Sequence, residues 1–379
     1  MKKWLWIWMV WCLCTLPVQA QETEIDWSDY DFSPIEEELK TLQQDPQFYE
    51  GGLQFDDFLD LLGQILEGEI QLGFEDVLDG LLNQILGEWK AEWQLMLELA
   101  ALMVCSGVLK NLNVSFGGSQ VEQIAFYVVF GAAVTLLFQS FLITYQVAQN
   151  AGENITHTLL GLLPVLAGVQ AASGGQVLAA LGSGFLIGSV NLASFLVQTV
   201  FLNGILLFVT LSTVNQLTGQ NMMKKIMGLA KVLIQKGIKG VSGIFLFLIG
   251  LQGIVAPAAD SLVRKTISAA GAVPVVGGAI GGAVETIFAG ASLVGHCVGG
   301  AGMVILMCIC LVPLGKLVAI WLLYKVTSAL LSPIADAKMT ELLEGMADGT
   351  GMLMGVLLVL IGMFVCGVGI FLRRKEEDR

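Results

Sequence analysis

Charge is what this sequence has least of. Charged residues make up 13% of the chain against 55% hydrophobic, where soluble domains carry about 25% charged residues, and mean hydropathy is +0.76. A soluble fold is excluded. Lys and Arg total only 19 and lie scattered among or beside apolar segments, so no basic nucleic-acid surface forms and nucleic acid is not an expected partner. There are only two histidines, His157 and His296, and neither has metal-ligand spacing. No phosphate-binding Walker A run, no Gly-x-Ser-x-Gly and no Cys-x-x-Cys pair occurs. With no nucleophile beside a base, neither an enzyme nor a bound cofactor is expected. Of the seven cysteines, Cys12 and Cys14 lie in the leader and the other five in apolar runs, where free Cys packs as a small hydrophobe.

The charge that is present is concentrated. Residues 21–92 hold 20 Asp and Glu against two Lys. Ahead of them, Lys2 and Lys3 precede the apolar run Trp4 to Leu16, and Val18-Gln19-Ala20 has the small-residue spacing of a signal-peptidase site. Residues 1–20 therefore read as a signal peptide and 21–92 as an acidic extracytoplasmic segment. Within it Phe55-Asp56-Asp57-Phe58-Leu59-Asp60 is echoed by Phe74-Glu75-Asp76-Val77-Leu78-Asp79. Apolar residues at helical spacing, with carboxylates in each first turn, suit two amphipathic helices. They would form a hairpin on the membrane body or a partner-docking surface.

Residues 93–372 form a polytopic membrane domain, followed by a charged tail at 373–379. Its apolar segments run roughly 95–109, 121–148, 157–172, 176–198, 200–217, 241–256, 272–294, 296–314, 316–332 and 350–372. Several fall short of the roughly 20 residues that cross a bilayer, so some are tilted, re-entrant or merged. The expected fold is all-α, with Gly/Pro-broken helices and an internal repeat.

Between Asn221 and Gly240 the pattern becomes amphipathic. Lys224, Lys225, Lys231, Lys236 and Lys239 fall on one arc of a helical wheel, opposite Met223, Ile226, Met227, Leu233, Ile234 and Ile238. This basic helix suits the cytoplasmic interface, lysines toward anionic headgroups. Five crossings from an exported residue 92 bring it inside. Counting all five later segments as crossings would strand Arg373-Arg374-Lys375 outside, so one of them is re-entrant or fused with a neighbour.

A motif recurs 110 residues apart: Gly161-Leu162-Leu163-Pro164-Val165-Leu166-Ala167-Gly168 matches Gly271-Ala272-Val273-Pro274-Val275-Val276-Gly277-Gly278 at Gly, Pro, Val and the last Gly. Proline interrupts the helical ladder and glycine allows close backbone approach, so each copy suits a broken helix or membrane hairpin. Duplicated broken helices are how many transporters build a substrate path. Polar groups gather around the second copy and beyond: Gln252, Asp260, Lys265, Glu285, Lys316 and Lys325. Ionisable groups at membrane depth are functional candidates by default. Asp260 and Lys265 also suit a solvated loop, and Lys316 or Lys325 suit snorkelling to an interface. Glu285, within an apolar run beside the Pro274–Gly277 turn, must be neutral, paired with a base such as Lys265 or Lys316, or wetted.

The succession of signal, acidic exported segment, Leu163-Pro164-Val165 with Ala171-Ala172-Ser173-Gly174-Gly175, Gln252-Gly253, Pro274-Val275-Val276-Gly277, Tyr324-Lys325 and Ser332-Pro333 resembles the stage III sporulation protein AE family of endospore-forming bacteria. The resemblance covers about residues 95–372. It implies a multi-pass protein of the mother-cell membrane around the forespore. It also implies partners from the same operon, a secretion-type ATPase and ring-forming proteins, in a channel or feeding complex between the two cells. No catalytic residue is implied. On the residues alone, a free-standing solute transporter built on the Pro/Gly repeat is the alternative.

Overall fold

The computed structural model describes residues 85–90, 92–116, 120–172, 183–218, 223–270, 302, 310 and 312–372. Every element among these is helical. Helix α1 is Trp93–Phe116, α2 Gln120–Ala172 and α3 Ser183–Phe195, which runs through a π-helical segment, Leu196–Leu202, into α4, Asn203–Thr218. Helix α5 is Lys224–Ala270, α6 Val312–Leu331 and α7 Ala337–Leu372. A further helical turn at residues 85–90 precedes α1.

Four of these runs are long and apolar enough to cross a membrane: Ile124–Gly168, Gly184–Leu217, Val312–Leu331 and Ala337–Gly369. Long uninterrupted apolar stretches form helices here because only a helix satisfies its own backbone in hydrocarbon. The lengths correct the segment boundaries drawn from hydropathy. The runs 121–148 and 157–172 are one helix, α2; 176–198 and 200–217 are joined through the π segment; and 241–256 continues the lysine helix within α5. Three helical runs rather than five thus precede Lys224. Two of the three, within α2 and within α3–α4, have membrane length. Pro164 lies inside continuous α2, not at a break, and is exposed there. A proline costs one ladder bond, which a long membrane helix tolerates. The irregular backbone falls instead at Leu196–Leu202.

The helices alternate in direction. Tyr145 and Thr156 of α2 meet Asn203 and Ser194, so α2 runs antiparallel to α3–α4. Gly204 and Phe201 meet Ile234 and Gly237, so α5 turns back again. Helix α7 lies parallel to α2 and packs extensively on it. Between them and α4, Gly349 leaves room for Val209 and Phe141, while Gly345 sits against Ser212. A Cβ at Gly349 would overlap Val209 Cγ2, so this crossing needs glycine. The core gathers large fully buried side chains, including Phe130, Phe141, Tyr324 and Phe364. At the α6–α7 corner Ser332-Pro333 ends α6, since the residue before proline disfavours helix. Asp336 then caps α7, its Oδ1 accepting from Lys338 N at 2.8 Å. Gly107 of α1 is pressed against the Ile334 carbonyl in this corner, and Lys338 lies 5.7 Å over the Tyr127 ring.

Candidate functional site: three polar constellations on an apolar bundle

In a chain with so little charge, each polar side chain held by the bundle needs a physical account. Three groups stand out. The first joins α5 to α7. Lys231 forms an ion pair with Asp348, and two turns earlier Lys224 lies 3.7 Å from Glu341, which also accepts from Gln216 Nε2 at 2.8 Å. The seven-residue step on both helices makes a two-rung ladder between parallel neighbours. This corrects the expectation that all five lysines face headgroups. Lys224 and Lys231 turn to carboxylates of α7, while Lys225, Lys236 and Lys239 are exposed. The buried seam of α5 is Ile234, Ile238 and Phe245, flanked by Met227 and Val241. The ladder pairs are half-exposed, so each contributes little stability, roughly 0–1 kcal/mol. Their value is in fixing register.

The second group ties the turn before α1 to α6. Lys316 lies 3.7 Å from Glu88, and the two side chains are only 24% and 9% exposed. Glu92, one turn on, has its carboxyl raised above the usual range by burial. Nearby Lys316 opposes the shift and Glu88 adds to it. Two turns along α6, the fully buried Tyr324 donates to Ser140 Oγ at 2.8 Å, pinning α6 to α2. Lys316 is therefore committed to Glu88 rather than snorkelling. Lys325 is half-buried on the same helix.

The third group was not legible as a site in the sequence, because the stretch between residues 148 and 157 reads as a connection. In the structure it is the middle of α2. Gln146, Gln149, Asn150, Glu153, Asn154 and His157 form a polar belt there. On the neighbouring run lie Asn191, Ser194, Gln198, Thr199 and Asn203, strung along the π segment and its flanks. Tyr145 donates to Asn203 Oδ1 at 3.3 Å, Thr156 to Ser194 Oγ at 3.2 Å and Gln149 to Glu153 Oε1 at 3.2 Å. π-helical turns recur at functional sites. Spacing of polar residues at three and four positions was the available signal.

Helix α7 supplies a depth scale. From Gly349 to Leu372 it carries no charge, between Asp348 and Arg373; at 1.5 Å per residue that is about 36 Å, enough to cross the roughly 30 Å core of a bilayer. A Cβ at its midpoint neighbour Gly152 would lie 3.2 Å from Leu360 Cδ1, and Leu159 reaches Gly367. On this scale the belt lies near half depth. The apolar reach of α2, 45 residues, is about 68 Å, so even a steep tilt leaves part of it beyond the hydrocarbon.

Of the other residues singled out by sequence, Gln252, Asp260 and Lys265 lie on the C-terminal half of α5, where only the course of the helix is described. Pro274, Gly277 and Glu285 lie outside the described residues, as do the second Pro/Gly copy and residues 21–84 of the exported segment. Among the described residues no cluster of His, Cys, Asp or Glu has the makings of a metal site.

A helical bundle with four membrane-length apolar helices, internal ion pairs and a polar belt defines a multi-pass membrane protein. The stage III sporulation protein AE family model matches residues 56–374, and the chain belongs to that family. It is 25% identical over 316 residues to stage III sporulation protein AE of Bacillus subtilis (strain 168), covering 83% of this chain and 79% of that one. No solved structure matches it. It is thus a sporulation-related membrane protein.

Proposed function

We propose that this protein is a non-enzymatic, permease-like or structural subunit of a channel or feeding complex between mother cell and forespore, in the mother-cell membrane around the forespore. Family membership supports the sporulation context. The observation that supports a permease-like part is the polar belt, which places amides, hydroxyls and one carboxylate along a π-distorted helix in an otherwise apolar pair of spans. On this reading the exported acidic segment faces the space between the two membranes. The secretion-type ATPase of the same operon works from the cytoplasmic side, and the ring-forming proteins lie between the membranes. The Pro274–Gly277 turn with Glu285, and the polar residues Gln252, Asp260 and Lys265, belong to the same proposed path; Lys316 and Lys325 serve its scaffold. The test is isolation of the tagged native protein from sporulating cells. Stable recovery with the ATPase and ring proteins is expected. An abundant, correctly inserted protein recovered without either would refute membership of such a complex and leave a free-standing transporter.

A further inference from the structure

Among the described residues the outward edge of the polar belt is left largely without partners from other helices, Asn203, which accepts from Tyr145, apart. Along α2, Gln146, Asn150 and His157 are exposed, and beside them on the α3–π–α4 run Asn191, Thr199 and Asn203 are exposed too. The side chains of Gln146, Asn150 and His157 make no hydrogen bond or ion pair among the described residues. Asn191 spends its Nδ2 on the carbonyl of Ile187, within its own helix, which leaves its Oδ1 facing out. These groups lie near half depth on the scale set by α7, where contact with lipid tails leaves an amide unsatisfied. Polar side chains of spanning helices therefore face a bundle interior, a wetted cavity or another chain. Here the interior is on the other side: Gly152 packs on Leu360 of α7, roughly opposite Asn150 on the helical wheel.

We infer that this stripe is where a second copy of the chain docks within the membrane. Its chemistry selects the occupant. Copies of one membrane protein share an orientation, so about a two-fold axis along the bilayer normal each residue meets its own counterpart at the same level. Carboxylates or lysines would repel their counterparts in that arrangement. The stripe is built mainly from amides, each with donor and acceptor, which pair with themselves. Its most outward residues, Gln146, Asn150 and Asn191, carry no charge. The half-buried carboxylate, Glu153, is turned aside toward Gln149. A partner of different chemistry would be met by a sign of charge, and the stripe shows none. Between two such copies the π segments and the Gln198 and Asn203 side chains flank one polar seam. This inference stands independently of the sporulation complex, since copy–copy contact and recovery of operon partners are separate measurements.

The test uses the full-length chain in native membranes, carrying two different tags. Asn150→Cys and Asn191→Cys are oxidised and compared with the parent chain, which keeps its native cysteines, and with Leu233→Cys on the exposed face of α5. A cross-linked species bearing both tags is expected for the first two above either control. Asn150→Leu combined with Asn191→Leu, still inserted and abundant, is expected to reduce co-purification of the two tagged copies by about tenfold, and Asn150→Gln to keep it, because the amide pair is the contact. Three results overturn the inference. One is tagged copies that never co-purify. Another is cross-linking of position 150 to a different protein. The last is position 150 reacting freely with a membrane-impermeant maleimide, which would make the stripe the wall of an open water-filled groove.

Discussion

The Lys316–Glu88 pair gives the sharpest test of how the turn before α1 is fastened to the bundle. Both side chains are largely buried, and they stand 3.7 Å apart. At that separation the attraction is about 4 kcal/mol for an effective dielectric of 20, and desolvation of both ions offsets much of it. Removing one partner of a buried pair is a different matter, because this attraction is lost while the cost of burying the other charge remains. Lys316→Met also leaves Glu88 beside the half-buried Glu92, so it should destabilise by about 3 kcal/mol. The double variant Glu88→Gln/Lys316→Met removes both charges and should lie within about 1 kcal/mol of the parent. The assay is a double-mutant cycle on detergent-purified protein, with unfolding followed by denaturant titration and by the fluorescence of Trp89 and its neighbours. A single variant as stable as the parent, or a double variant as poor as the sum of both singles, would refute the pairing as the fastening of this turn.

The α5–α7 ladder should behave differently: Lys231→Ala, at a half-exposed pair, should cost less than about 1 kcal/mol in the same assay, and a loss like that of Lys316→Met would contradict the screening argument. Gly349→Val puts side-chain atoms where Val209 and Phe141 already stand, so a loss of about 1–3 kcal/mol or a failure to accumulate is expected; normal stability would mean that the three-helix crossing is looser than described. Burial raises the Glu92 carboxyl in the folded state, so the folded chain binds the extra proton and stability falls as pH rises through the window just above the usual carboxylate range. Glu92→Gln should therefore be more stable than the parent at neutral pH and equal to it in acid, and a parent with no such slope would rule this out. A reporter fused after Gly52 should be exported and one near Lys231 cytoplasmic, and the reverse at either site would overturn the orientation drawn from lysine placement.

What the sequence determined by itself is the solvent this chain folds in. Scarce charge and runs of apolar residues admit only helices in a bilayer. The family was legible as well, through stretches such as Tyr324-Lys325, because a residue held on every side leaves a recognisable word: Tyr324 is fully buried and bonded to Ser140. Tertiary structure decided the rest. Hydropathy counts composition along the chain and cannot tell a loop from a polar belt inside one continuous helix, so residues 149–156 read as a connection although they are the centre of α2. It likewise assigns Lys224 and Lys231 to headgroups, because the carboxylates that claim them, Glu341 and Asp348, lie more than a hundred residues away. A helical wheel knows its own faces but not its neighbours. Which face is buried, and which polar groups are left without one, is fixed only when the helices pack.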